Sequence, residues 1–175
     1  IGGEDTYRLL PYLFEKDQLK EAVQEKIFLG FSDTTINHLM LHKLGLKTFY
    51  GQAFLPDICE LAKDMLPYTE SYFKELIETG TIKEIRPSKL WYRERQDFSE
   101  KSLGQAMESY PDTGFELLKG PGKFKGKILG GCIESIYTIF DNSRFEDTVD
   151  LCEKYQLFPK LEDWKGKILL LETSE

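Results

Sequence analysis

A serine at the corner between an apolar run and a helical one can act as a nucleophile, and Lys26-Ile27-Phe28-Leu29-Gly30-Phe31-Ser32-Asp33-Thr34-Thr35 has that layout. The run reads as a short buried strand ending at Gly30, a turn carrying Ser32, and re-entry into a helix. A strand-to-helix elbow lifts the hydroxyl clear of the sheet, and the next backbone N–H, that of Asp33, points where an oxyanion would form. Gly30, two residues before the serine, leaves room for the turn. The second glycine of the common G-x-S-x-G pattern is replaced by Thr34. The same residues also describe a serine N-cap followed by an acidic residue in the first turn of an ordinary helix, so the elbow alone leaves both readings open.

A nucleophilic serine needs a base, and the base needs an orienting partner. The two histidines, His38 and His42, both lie on the helix that begins at the elbow. With a rise of about 1.5 Å per residue that helix carries His38 roughly 9 Å along its axis from Ser32, so neither histidine can serve it. Their i, i+4 spacing also fits a metal, but His38-Leu39-Met40-Leu41-His42 lacks a glutamate next to the first histidine and a third ligand. The pair reads as packing, with no metal. Glu172 ends the apolar strand Ile168–Leu171, and open α/β folds place working groups at the carboxyl ends of parallel strands. A carboxylate there can orient a histidine, or simply sit solvated at a strand end. Cys132, after Gly130-Gly131 at a helix start, offers a second nucleophile whose thiol a helix N-terminus would activate. It too lacks a histidine in reach.

The elements that must position these residues alternate. Helical spacing covers Asp5–Leu13 and Gln18–Glu25, then a strand at Ile27–Leu29, a helix from the elbow to Leu44, a left-handed stop at Gly45, and a strand at Thr48–Tyr50. Helices are predicted over Asp57–Leu66 and Thr69–Glu78, with a second stop at Gly80, and a strand over Ile82–Ile85. Strands alternating with helices imply an α/β fold with a mainly parallel sheet flanked by helices. From Arg86 to Thr113 the periodicity breaks, as in a functional loop or an interdomain linker. Beyond it, strands are predicted at Phe115–Leu118, Lys127–Leu129 and Ile168–Leu171, and helices over Cys132–Phe140 and Phe145–Tyr155. This divides the chain into an N-terminal α/β domain at 1–86, a loop at 87–113, and the start of a more β-rich domain at 114–175.

Composition bounds the function. The 175 residues are 41% hydrophobic, enough to bury a core in one domain or slightly more. No apolar stretch approaches the ~20 residues of a membrane span. A formal net charge of −7 argues against a nucleic-acid polymer as partner, because phosphate-backbone binding needs clustered cations. The basic stretch Lys119–Lys127 lacks P-loop spacing and reads as a connection between strands. Three cysteines, Cys59, Cys132 and Cys152, odd in number and widely spaced, fit a reducing cytoplasm. Ile1-Gly2-Gly3-Glu4-Asp5 lacks a start methionine and an apolar leader, and the chain closes on an apolar strand. It reads as a piece of a longer polypeptide.

Four segments together carry a resemblance. Gly2-Gly3-Glu4-Asp5-Thr6-Tyr7-Arg8-Leu9-Leu10-Pro11-Tyr12-Leu13, Gly30-Phe31-Ser32-Asp33-Thr34-Thr35, Gly130-Gly131-Cys132-Ile133-Glu134-Ser135 and Leu170-Leu171-Glu172-Thr173-Ser174-Glu175 resemble, in order, motifs of the LD-carboxypeptidase family of serine peptidases (peptidase S66). The match is closest to the microcin C immunity, or MccF-like, branch. The resemblance implies a cytoplasmic serine peptidase without a cofactor, dimeric as a whole protein, with a flavodoxin- or Rossmann-like N-terminal domain and a smaller C-terminal one. Carried over, Ser32 is the nucleophile and Glu172 the triad carboxylate, while the N–H of Asp33 and one from the Gly2-Gly3 turn form the oxyanion hole. The family's triad histidine lies downstream of the Leu-Glu-Thr-Ser-Glu motif and is absent from this chain, as are the first strands of the N-terminal domain. By itself the fragment is expected to be inactive.

Trp91-Tyr92-Arg93-Glu94 resembles the loop that, in the MccF-like branch, brings an aromatic ring over the nucleotide or aromatic end of the substrate. An exposed Trp on a loop suits stacking on a flat ring; anchoring of the loop to the body is the other reading. Glu134 can contact a substrate amino group, or stabilise a helix N-terminus. Two substrates compete: a peptidyl-nucleotide of the microcin C type, cleaved at its acyl–nucleotide linkage, and a murein tetrapeptide losing its terminal D-alanine. An inactive binding paralogue of the same fold is a third, non-enzymatic reading.

Overall fold

A computed structural model of the chain describes residues 3–15 and 18–173. The chain divides into two compact units, Ile1–Gly51 with Phe124–Glu175, and Gln52–Lys123.

The first unit begins with a 3-10 turn, Glu4–Leu9, running into helix α1 (Leu10–Phe14), where Pro11 occupies a first-turn position that needs no N–H. Helix α2 spans Gln18–Ala22. Strand β1 (Leu29–Gly30) leads through a 3-10 turn at Ser32–Thr34 into helix α3 (Thr35–Lys43), and the chain returns as β2 (Phe49–Tyr50). The β1–α3–β2 unit pairs β1 and β2 in parallel, Leu29 opposite Phe49 and Gly30 opposite Tyr50. Later in sequence come β5 (Lys127–Cys132), helices α5 (Ile133–Phe140) and α6 (Thr148–Lys154), and β6 (Lys167–Glu172), once the second unit's α4 (Pro67–Thr79), β3 (Leu90–Tyr92) and β4 (Ser109–Pro111) have been counted. Strands β5 and β6 are also parallel, and the register sets Cys132 opposite Glu172.

The core of this unit is assembled from distant segments. Tyr7 and Leu10 pack with Ile36, Leu39 and Met40 of α3, and with Leu129, Ile139, Cys152 and Leu157. The first six residues of α3, Thr35–Met40, are all buried, including the polar Thr35, Asn37 and His38, which explains its lack of a clean apolar stripe. Such helices bury polar side chains only when these are bonded. Thr6 Oγ1 donates to Asn37 Oδ1 at 3.0 Å, and the fully buried Tyr7 hydroxyl meets Thr148 Oγ1 and Asn142 Nδ2, each at 3.0 Å. Thr6 and Tyr7 are thereby pinned to α3 and to the chain more than a hundred residues later.

In the second unit, α4 starts at Pro67 and stops at Gly80, a left-handed C-cap with φ 67°. Strands β3 and β4 form an antiparallel pair within the segment read as irregular. Arg95 and Glu60, whose side chains are largely shielded from solvent, make an ion pair. The predicted helix over 57–66 is replaced by a single π turn at Phe54–Ile58 followed by bends, and 82–85 and 115–118 are not strands. These short apolar runs match strand or helix periodicity equally well, and no pairing partner converts them into either.

The compact units cut the chain at Gly51 and Lys123. The reason is long-range pairing: β5 and β6 bond to each other across the whole later segment and pack Leu129 into the core built on α3. Among the described residues no helix is long and apolar enough to cross a membrane.

Candidate active site

The elbow forms as the residue types require. Ser32 has φ 54°, a left-handed backbone conformation uncommon for a residue with a Cβ. Such strain, of about 1–3 kcal/mol, persists only where surrounding contacts fix it. The turn folds Thr34 back onto β1, with its hydroxyl donating to the Phe31 carbonyl at 2.8 Å. A Cβ on Gly30 would lie 2.6 Å from Thr34 Oγ1, so glycine is needed here for room.

Glu172, 140 residues away, reaches this corner. The Ser32 main-chain N–H is shared between Tyr50 Oη at 3.1 Å and Glu172 Oε2 at 3.4 Å. The Tyr50 hydroxyl donates to the same carboxylate oxygen. Thr35 Oγ1 lies 3.1 Å from Tyr50 Oη and accepts the Cys132 main-chain N–H at 2.9 Å. Burial, reinforced by the hydrogen bond to Glu172, pushes the Tyr50 phenol up to about 12. Sequence reading did not single out Tyr50 or Thr35. The available signal was Tyr50 at the carboxyl end of a parallel strand, the same position that drew attention to Glu172.

His38 is structural. Its Nε2 faces the Gly30 carbonyl at 3.0 Å and must donate, leaving Nδ1 to accept from Thr48 Oγ1 at 2.7 Å. Phe28 and Tyr50 pack on the ring. Desolvation holds its pKa below the ordinary value, partly opposed by the Gly30 carbonyl. The unfolded chain therefore binds this proton more readily than the folded one, and stability falls as pH drops below about 6.5 towards the depressed folded value. In a urea titration the wild-type midpoint is expected to fall across that window and His38→Gln to give a flatter profile; equal slopes would show that His38 does not carry the effect.

Of the other predicted site residues, Asp33 lies in the elbow's 3-10 turn, and Gly3, φ 113°, caps the turn at Glu4–Leu9. Gly2 falls outside the described residues. Glu134, half-buried in the first turn of α5, accepts the Cys132 thiol at 3.2 Å. Cys132 is 1% exposed, a poor position for a nucleophile. Trp91 belongs to the second unit, where it is 49% exposed and stacks on Tyr110 across the hairpin, with ring centroids 4.5 Å apart. Among the described residues no cluster of His, Cys, Asp and Glu could hold a metal ion.

Residues 1–51 match the model of the LD-carboxypeptidase N-terminal domain (peptidase S66). The whole chain superposes on a crystal structure of an MccF-like protein from Streptococcus pneumoniae in complex with AMP, at 70% identity and a TM-score of 0.93. The chain is similar to the LD-carboxypeptidase family over its first 51 residues, and to an MccF-like protein along its whole length. It covers 51% of the pneumococcal protein's length. A mutant of the microcin C7 self immunity protein MccF, in complex with adenosine monophosphate, is 25% identical with a TM-score of 0.64, over 99% of this chain and 46% of that one. MccF in complex with aspartyl sulfamoyl adenosine, 24% identical with a TM-score of 0.65 over 98% and 46% of the two chains, shares the fold. No curated protein matches the chain. The α/β architecture with parallel strand pairs flanked by helices is thus shared with these structures.

Proposed function

We propose that the chain supplies two members of the triad of a serine peptidase that frees the C-terminal group of a small peptide or peptidyl-nucleotide through an acyl-enzyme. One observation carries this reading: Glu172 Oε2 lies 3.4 Å from the main-chain nitrogen of Ser32, itself strained at φ 54°. A serine on an elbow beside a carboxylate has the parts of a nucleophile and a base-orienting group. His38 is held on both ring nitrogens, and the resemblance to the LD-carboxypeptidase family implies a histidine outside these 175 residues as the base. It takes the Ser32 proton as the hydroxyl attacks the scissile carbonyl, and Glu172 stabilises the imidazolium. The Asp33 N–H and one from the Gly2-Gly3 turn receive the oxyanion, the leaving group departs with the proton, and water repeats the cycle on the ester. In this reading Glu134, half-buried beside Cys132, receives a substrate ammonium.

A nucleotide-bearing substrate is favoured over a murein tetrapeptide. The pneumococcal relative binds AMP, and MccF binds aspartyl sulfamoyl adenosine. Trp91, with one face on Tyr110 and half its surface exposed, suits stacking on a nucleobase. The test compares the complete protein on a peptidyl-adenylate conjugate and on a tetrapeptide ending in D-alanine. Release of the nucleotide at least about tenfold faster is expected, a difference of ~1.4 kcal/mol in transition-state binding. Preference for the tetrapeptide would assign an L,D-carboxypeptidase instead, and no Ser32-dependent turnover of either would leave a binding paralogue.

A further inference from the structure

Glu172 is held at one oxygen by a directed chain of donors spanning four elements. The Cys132 N–H at the end of β5 donates to Thr35 Oγ1 at the start of α3. Thr35 in turn has its own hydrogen to give to Tyr50 Oη, 3.1 Å away at the end of β2. The Tyr50 hydrogen goes to Glu172 Oε2 at the end of β6, since a carboxylate only accepts. The circuit closes through the sheet, where Cys132 and Glu172 are register partners. The Ser32 N–H adds to the same knot, reaching both Tyr50 Oη and Glu172 Oε2. Of the titratable groups around the phenol, Glu172 faces it from β6, and His38, its ring centroid 5.1 Å away, faces it from α3. Burial keeps both the phenol and that imidazole neutral, so Tyr50 remains a donor.

This arrangement costs close packing to build. A Cβ on Gly131 would lie 2.5 Å from Thr35 Cγ2 and 2.6 Å from its hydroxyl. Thr35 is fully buried, and a buried hydroxyl that both accepts and donates fixes its neighbours more firmly than a solvated one. A carboxylate at a strand end otherwise rotates freely about its last bonds. Here one oxygen is occupied, which leaves Oε1 to orient the base.

We propose that Tyr50, braced by Thr35, is a positioning residue for acyl transfer at Ser32: it locks Glu172 through Oε2 and ties the nucleophile's main chain to the same anchor. This rests on the reading of Ser32 and Glu172 given above. The donor on Oε2 also takes up part of the charge that the carboxylate would otherwise present to the histidine. Removing it strengthens the pull of Glu172 on the imidazolium, so the histidine loses its proton at higher pH.

The test uses the complete protein and a serine-directed fluorophosphonate, following the rate of Ser32 labelling against pH, normalised to folded protein by circular dichroism. Tyr50→Phe and Thr35→Val are expected to label about 10- to 100-fold more slowly, the usual size of an effect on a group that orients a site from behind. The acid limb moves to higher pH, and Thr35→Ser, which keeps the hydroxyl, recovers most of the loss. If Tyr50→Phe does not fold, the Thr35 pair gives the same readout. Wild-type rates in Tyr50→Phe and in Thr35→Val overturn the proposal alone, and so does slower labelling with an unmoved acid limb, which marks a structural role. A wild-type protein that is not labelled at Ser32 overturns both this and the peptidase reading.

Discussion

Ser32→Ala in the complete protein is expected to lower turnover of its best substrate by about 10⁴-fold or more, with KM little changed. The loss should be this large because the nucleophile, the base and the oriented carboxylate act as a unit, and only the oxyanion donors and substrate binding survive its removal. The fold should tolerate the change. Ser32 Oγ is absent from the network that closes the corner, which runs through the Ser32 main-chain N–H, Tyr50, Thr35 and Glu172. Relief of crowding is not expected either, since alanine at φ 54° is as strained as serine. Steady-state kinetics of the variant beside its circular dichroism spectrum checks both halves. A loss below about tenfold would remove Ser32 from the chemistry. The present chain, which contains no histidine able to serve the serine, should already behave like that variant. Its own rate is expected to match that of its Ser32→Ala form, and serine-dependent turnover by the isolated chain would require a different base.

The largest expected effect on stability is at Gly130. Its φ is 134°, and a Cβ there would overlap the carbonyl oxygen of Leu170 and lie 2.9 Å from the carbonyl carbon. The obstacle is the backbone of the neighbouring strand, fixed by the parallel register that also sets Gly131 opposite Leu171 and Cys132 opposite Glu172. No rotamer change relieves it. Gly130→Ala combines overpacking with a conformation that L-residues avoid, and about 3–5 kcal/mol of lost stability is expected. Urea unfolding measures it, and a loss under about 1 kcal/mol would mean that β5 and β6 can slide apart. Because the same displacement would carry Glu172 away from Ser32, activity should fall in parallel with whatever fraction of the protein remains folded.

The relation of Gly130 and Gly131 to the site illustrates what a local reading misses. In sequence, Gly-Gly before Cys132 suggested a helix start and an activated thiol. In the structure the two glycines let Leu170 and Thr35 approach β5, while the thiol is buried against Glu134. The glycines serve the carboxylate and its support, and the cysteine contributes its main-chain N–H.

The sequence by itself determined those features whose physics is local. The left-handed stop at Gly80, the proline start of α4, the glycine that makes room for the elbow, and the parallel β1–α3–β2 unit all follow from residue type and short-range periodicity. The choice of Ser32 and Glu172 as candidates came from strand ends and an elbow motif, which are equally local. Tertiary structure alone decided that these two meet, because the meeting depends on β6 pairing with β5 and on β5 packing against α3, with Cys132 bonded to Thr35 97 residues earlier. It also decided that His38 is neutral and structural, that residues 124–175 join 3–51 in one compact unit, and that the apolar stretches at 57–66, 82–85 and 115–118 form neither predicted helix nor strand. Periodicity reports how a segment would bury one face. Which partner accepts that face, and which hydroxyl then finds a carboxylate, is a property of the assembled chain.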